Sequence, residues 1–180
     1  VYRTVVVGSR RWMAQNLDFD TAVGSGSWCY GDSAANCAKY GRLYSWSSAM
    51  GLDATYDATK WGGLPRRGVC PSGWHVPGDA DWAALLDAAG ESSRMVLSAK
   101  AGWAVGNGTD SAGFRALPAG SRDGNGNFTL RDSIGVFWSS DDTDAYNAGF
   151  AYFGNGPTAV RLVNAKDFGF SLRCIEDSKD

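Results

Sequence analysis

Few side chains in this sequence have reactive potential, and their spacing narrows it further. His75 is the only histidine and stands in Cys70-Pro71-Ser72-Gly73-Trp74-His75-Val76-Pro77. A solitary imidazole beside a tryptophan and between two prolines is expected to pack and hydrogen-bond rather than to shuttle protons. It excludes sites needing two or three imidazoles, which removes most zinc hydrolases and the two-histidine, one-carboxylate iron oxygenases. No serine sits in a Gly-x-Ser-x-Gly elbow, and a serine nucleophile would have only His75 as its base. Asp141-Asp142-Thr143-Asp144 offers three carboxylates within four residues, the hard oxygen donors that calcium takes. The run lacks EF-hand spacing and reads as a solvated turn between strands. Glycoside hydrolysis needs two facing carboxylates roughly 5 to 9.5 Å apart, and no such pair is identifiable here. Gly106-Asn107-Gly108 and Gly124-Asn125-Gly126-Asn127 do not lie between a strand and a helix with phosphate-loop spacing, so they read as turns.

The remaining reactive groups are Cys29, Cys37, Cys70 and Cys174. An even number without a Cys-x-x-Cys pair, and with one histidine in the chain, suits two disulfides in an oxidising compartment better than a zinc site. Three pairings are open. The favoured one makes Cys29–Cys37 a local loop staple and Cys70–Cys174 a long bridge tying the C-terminal strand to the middle of the fold. A closed loop of about 100 residues is worth roughly 4.7 kcal/mol in the chain-entropy model, well above a short loop.

The elements that must position these groups are short. With 24 Gly, 8 Trp, 7 Tyr and 8 Phe in 180 residues, the composition is that of a loop-rich α+β domain anchored by rings, and one domain over 1–180 is expected. Residues 2–17 read as a hairpin turning at Gly8-Ser9, and 18–40 as a long loop pinned by the first disulfide. A short helix falls within 41–52. Another follows Asp79, where Trp82, Leu85, Leu86 and Ala89 repeat at helical spacing up to Gly90. Strands are predicted at 136–140, 148–153, 158–163 and 169–175, with a turn at Gly154-Asn155-Gly156. Helices precede strands rather than alternating with them.

The net charge of −2 and scattered basic residues give no electrostatic footprint for nucleic acid or an anionic membrane. No apolar run reaches the ~20 residues of a membrane span, and with no leader before Val1 the chain is expected to be a mature or trimmed form. The aromatic complement exceeds what a core of this size needs. Trp12, Trp46, Trp74, Trp82 and Trp138 are expected inside, while Tyr146, Phe150 and Tyr152 share one side of a strand and are expected to face out.

Six segments carry a resemblance: Trp12-Met13-Ala14-Gln15-Asn16-Leu17, Gly41-Arg42-Leu43-Tyr44-Ser45-Trp46, the Cys70 to Pro77 run, Gly113-Phe114-Arg115-Ala116-Leu117-Pro118, Phe137-Trp138-Ser139-Ser140 and Gly169-Phe170-Ser171-Leu172-Arg173-Cys174. In this order they closely resemble the Fibrobacter succinogenes major paralogous domain. That family looks like a branch of the C-type-lectin-like superfamily, and the last portion resembles the variable regions of retroelement-diversified proteins. The resemblance implies two helices, a small twisted, mostly antiparallel sheet and long disulfide-pinned loops, and its matching cysteine positions agree with the favoured pairing. It implies a secreted or cell-surface bacterial protein that recognises a surface protein or glycan and needs no catalytic residue, metal or cofactor. The Glu-Pro-Asn and Trp-Asn-Asp triplets that hold sugar-bound calcium in animal C-type lectins are absent, and Gly149 follows Ala148 where relatives often carry tryptophan.

Recognition is usually placed on loops and strand faces of a rigid scaffold. The expected ligand face is therefore Asp141, Asp142, Asp144, Tyr146, Phe150, Tyr152, Asn155, Arg161 and Asn164. The alternatives are an enzyme of the formylglycine-generating type using Cys70 or Cys174 as a thiol, and a structural domain of a surface assembly.

Overall fold

Val5, Val6 and Val7 run into Gly8-Ser9, and there the chain reverses. In the computed structural model, which describes residues 1–21, 26–63 and 66–178, β1 (Thr4–Val7) pairs antiparallel with β2 (Arg10–Met13), Val7 opposite Arg10. Gly8 takes φ 61°, a left-handed conformation that glycine reaches without a Cβ penalty. Next come β3 (Ser27–Trp28), a 3-10 turn at Tyr30–Asp32, α1 (Ala34–Tyr40), β4 (Leu43–Tyr44), α2 (Trp46–Met50) and a second 3-10 turn at Ala54–Asp57. The middle of the chain gives β5 (Trp74–His75), α3 (Asp79–Ala89), α4 (Ser93–Leu97) and the small hairpin of β6 (Ser121–Arg122) with β7 (Phe128–Thr129). The C-terminal part is β8 (Gly135–Asp142), β9 (Asn147–Phe153), β10 (Val160–Ala165) and β11 (Ile175–Glu176).

The class is α+β with small sheets, as expected, but four α-helices stand among the described residues where two were predicted. One of the extra helices, α1, lies in the segment read as loop. Its Ala-Ala-Asn-Cys-Ala-Lys-Tyr sequence favours helix, and the Cys29–Cys37 bridge fastens its middle. The other, α4, has five residues, too few for an apolar period to show. The predicted strand over 169–175 is mostly bridging chain. Gly169 pairs with Arg122, Phe170 with Tyr44 and Ser171 with Phe137, and regular strand begins only at Ile175, which lies between Trp12 of β2 and His75 of β5.

Strands β8 and β9 are sandwiched between two core clusters. Trp138, Ala148 and Phe150 join Trp46, Phe170 and Leu172 on one side; Phe137, Ala151 and Phe153 join Trp12, Trp82 and Phe114 on the other. Three buried indoles reach backbone carbonyls: Trp138 donates to Tyr44 (2.7 Å), Trp46 to Ser139 (2.9 Å) and Trp82 to Trp138 (3.2 Å). Each buries a large ring with its N–H satisfied, which locks α2 and α3 onto β8. The second disulfide, Cys70–Cys174, closes 104 residues with Cα atoms 5.9 Å apart, so both favoured pairs are the observed ones.

Candidate functional site

The sheet order β10-β9-β8 puts β10 at an edge. It pairs with β9 from Val160 opposite Tyr152 to Ala165 opposite Asn147, and no strand covers its other side among the described residues. Val160, Leu162 and Val163 are 41%, 45% and 54% exposed. A hollow of about 320 Å³ lies where β10 meets the N-terminus of α3, walled by Asp79, Asp141, Thr143, Gly149, Arg161, Leu162 and Val163. Arg161 forms an ion pair with Asp79 across it.

The acidic run is divided among separate tasks. Register slips between Trp138 and Asp142, and such a bulge re-aims the side chains that follow it. The carboxylate of Asp141 accepts the backbone N–H of Asp79 at 2.5 Å, a favourable place for negative charge at the start of a helix. Asp142 points inward instead. Its carboxylate accepts the N–H groups of Trp61 (2.5 Å) and Gly62 (3.0 Å) and the ammonium of Lys166 (2.9 Å). Lys166 is fully buried, donates also to the carbonyls of Tyr56 (3.3 Å) and Thr59 (3.0 Å), and lies 4.4 Å over the Trp46 ring. Burial alone would push the Asp142 carboxyl up, but Lys166 and the two N–H donors outweigh it and hold its pKa below the usual value. Asp144 closes the β8–β9 turn by accepting from the N–H groups of Tyr146 (2.8 Å) and Asn147 (2.9 Å); the Asn147 side-chain amide first, and then these backbone bonds, depress its pKa.

Of the nine residues in the expected face, Asp141, Asp144, Tyr146, Arg161 and Asn164 gather around β10 and the β8–β9 turn, with Tyr146 64% exposed. Phe150 is only 6% exposed and touches Trp138 and Phe170, so the prediction that it faces out is corrected: the side it shares with Tyr152 is covered by core. Tyr152 is half-buried against the same cluster. Asp142 is likewise removed from a contact role, because its side chain is 3% exposed and its oxygens are taken. Asn155 is exposed but lies at the far end of β9, about 20 Å from the β8–β9 turn at ~3.3 Å per residue. Asp79, Thr143, Leu162 and Val163 were not anticipated. The consecutive Leu162-Val163 pair in a six-residue strand was the available signal, because adjacent apolar residues point to opposite faces and one of them sits away from the core.

His75 packs between carboxylates, its Nδ1 2.6 Å from Asp177 and its Nε2 3.5 Å from Asp81. The hydrogen bond to Asp81, then that to Asp177, raises its pKa against the opposing effect of burial. All four cysteines are in disulfides, so thiol chemistry at Cys70 or Cys174 would first require a bridge to open.

The model of the Fibrobacter succinogenes major domain matches residues 5–176. The chain belongs to that family. This Fibrobacter succinogenes major domain gives no match among the curated proteins or the solved structures compared with it. The match takes in both disulfides, both core clusters and the whole of β10.

Proposed function

We propose that this domain is a secreted or cell-surface recognition module of a bacterium, built on a C-type-lectin-like scaffold, that binds a protein ligand through β10 and the β8–β9 turn without catalysing a reaction. The observation that carries this reading is the free edge of β10, with exposed Val160, Leu162 and Val163 beside exposed Tyr146. Aliphatic side chains on a strand paired along one edge only suit an extended protein segment, which adds main-chain hydrogen bonds at the other edge and fills the spaces between side chains. A glycan would be better served by several exposed rings, and Phe150 is inside. Two disulfides agree with an oxidising compartment, and no helix among the described residues is long and apolar enough to cross a membrane.

An array of bacterial surface proteins and glycans, probed with the wild-type domain and with a Leu162→Asp, Val163→Asp variant, tests this. A protein signal that the variant loses supports the proposal. Binding confined to glycans, or protein binding unchanged in the variant, refutes it. The same edge also favours a second reading, self-association in a surface assembly, through pairing of β10 with β10 of another copy. Sedimentation of the wild type and the variant decides that case, since only an assembly domain would pass from oligomer to monomer.

A further inference from the structure

A second hollow, sharing no residue with the β10 surface, lies between β2 and α1 and has a volume of about 500 Å³, within the roughly 300–1,000 Å³ typical of small-ligand sites. Arg3, Lys39 and Arg115 line it, and none of the three makes an ion pair among the described residues. The one acid in its wall, Asp18, is within 3.7 Å of Arg42.

A fourth cation stands behind the wall. Arg173 is 0% exposed; its Nε donates to Asn16 Oδ1 (2.9 Å), its Nη1 to the carbonyls of Met13 (3.2 Å) and Phe114, and its Nη2 to the carbonyl of Arg115 (2.6 Å). These partners are dipoles rather than carboxylates, and the attraction of nearby Asp110 offsets only part of the cost of burying the charge. Burial lowers its pKa to about 9, which leaves it protonated at neutral pH. Two of the partners, Asn16 and Arg115, are themselves wall residues of the hollow, and a charge in a poorly polarisable interior projects its field into an adjoining cleft. Arg115 has φ 58°, a conformation rarely adopted by a residue with a side chain. It is fixed there by its N–H bonded to Asp110 (2.7 Å) and its carbonyl bonded to Arg173. Strain of that kind collects at functional positions, and here it presents a guanidinium with no ion pair among the described residues.

We propose that this hollow binds a sugar acid, a uronate-bearing oligosaccharide whose carboxylates are met by Arg3, Lys39 and Arg115. A carbohydrate is favoured over an acidic peptide because the wall exposes more polar than apolar surface, with the amide of Gln15 and the hydroxyl of Tyr2 beside the cations and small aliphatic groups at Val1, Ala14, Ala38 and Leu117.

Calorimetric titration of the whole chain with trigalacturonate at low salt tests this, beside the matching neutral galactose trimer and a triglutamate peptide. The variants are Arg3→Gln and Arg115→Gln, both exposed positions where the fold is retained. Saturable binding of trigalacturonate is expected, weakened about tenfold or more in each variant, because a hydrogen bond to a charged group is lost, and weakened by added salt. The neutral trimer should give no heat of binding. The Leu162→Asp, Val163→Asp variant should bind trigalacturonate as the wild type does, which separates this site from the β10 surface. Absence of saturable binding, unchanged affinity in the two arginine variants, or equal affinity for triglutamate overturns the proposal.

Discussion

Replacing Lys166 with Met tests whether the buried ammonium holds the 53–63 segment to the C-terminal sheet. Methionine nearly fills the same volume but donates no hydrogen bond. The lysine side chain is 0% and its Asp142 partner 3% exposed, so solvent cannot take over the broken contacts. The Tyr56 and Thr59 carbonyls lose their donor, at about 1–3 kcal/mol for each group that stays unpaired. The Asp142 carboxylate keeps the N–H groups of Trp61 and Gly62 but loses its countercharge. Removing one partner of a buried pair costs about 3–5 kcal/mol net, and the relieved desolvation of lysine offsets the carbonyl penalties, so about 3–5 kcal/mol is the expected total. With a urea slope of about 2 kcal/mol per molar, the midpoint of non-reducing denaturation should fall by about 1.5–2.5 M. Asp142→Asn retains an acceptor for one of the two backbone donors, which lie on different carboxylate oxygens, and the Lys166→Met, Asp142→Asn double variant closes the cycle. Coupling of about 0.5–3 kcal/mol is expected for groups in one network. A Lys166→Met loss below about 1 kcal/mol, the range of an exposed pair, or a strictly additive cycle would falsify the assignment.

Protonated His75 is stabilised by Asp81 and Asp177 and its pKa is raised, so its contribution to stability is complete below the unfolded value of 6.5 and is lost as pH rises through the folded pKa. Thermal melts from about pH 5 to 8 should show a decline with rising pH that His75→Gln flattens; an unchanged slope in the variant refutes this. Chelator-treated and calcium-loaded protein should melt together, because Asp141, Asp142 and Asp144 each accept from protein donors; a rise of several degrees with calcium would place an ion there. Phe150→Ser and Trp138→Ala should each cost about 3–5 kcal/mol as core losses, while Tyr146→Ser stays within about 0.5 kcal/mol. Urea midpoints compare the three, and a Phe150→Ser midpoint near that of Tyr146→Ser would contradict its burial.

The contrast between Phe150 and Tyr146 shows which level of structure the sequence encodes openly. Alternation places Phe150 and Tyr152 on one side of a strand, and the observed register agrees, with Trp138 opposite Phe150 and Val136 opposite Tyr152. Whether that side meets water depends on what arrives from elsewhere. Phe170 comes from bridging chain with no strand period of its own and lies 4.9 Å from the Phe150 ring, while Trp46 comes from a five-residue helix. Long-range cover of this kind leaves no local trace. The α3 helix was legible because its apolar residues repeat over three turns and end at Gly90, whereas α4 offers barely one turn. The acidic run shows the same limit in polar groups. Asp141, Asp142 and Asp144 look alike in sequence, yet a bulge assigns them to a helix start, a buried lysine and a turn. Lys166, 24 residues beyond Asp142, would be read in isolation as a solvated surface charge. Lys166 fixes the 56–62 segment just beyond the end of β10, and Asp79 at the start of α3 pairs with Arg161, so β10 is tied at two places to elements that do not belong to its sheet. Substitutions at Leu162 or Val163 should therefore alter the proposed recognition without moving the supports, while substitutions at Lys166 or Asp142 should shift the surface itself.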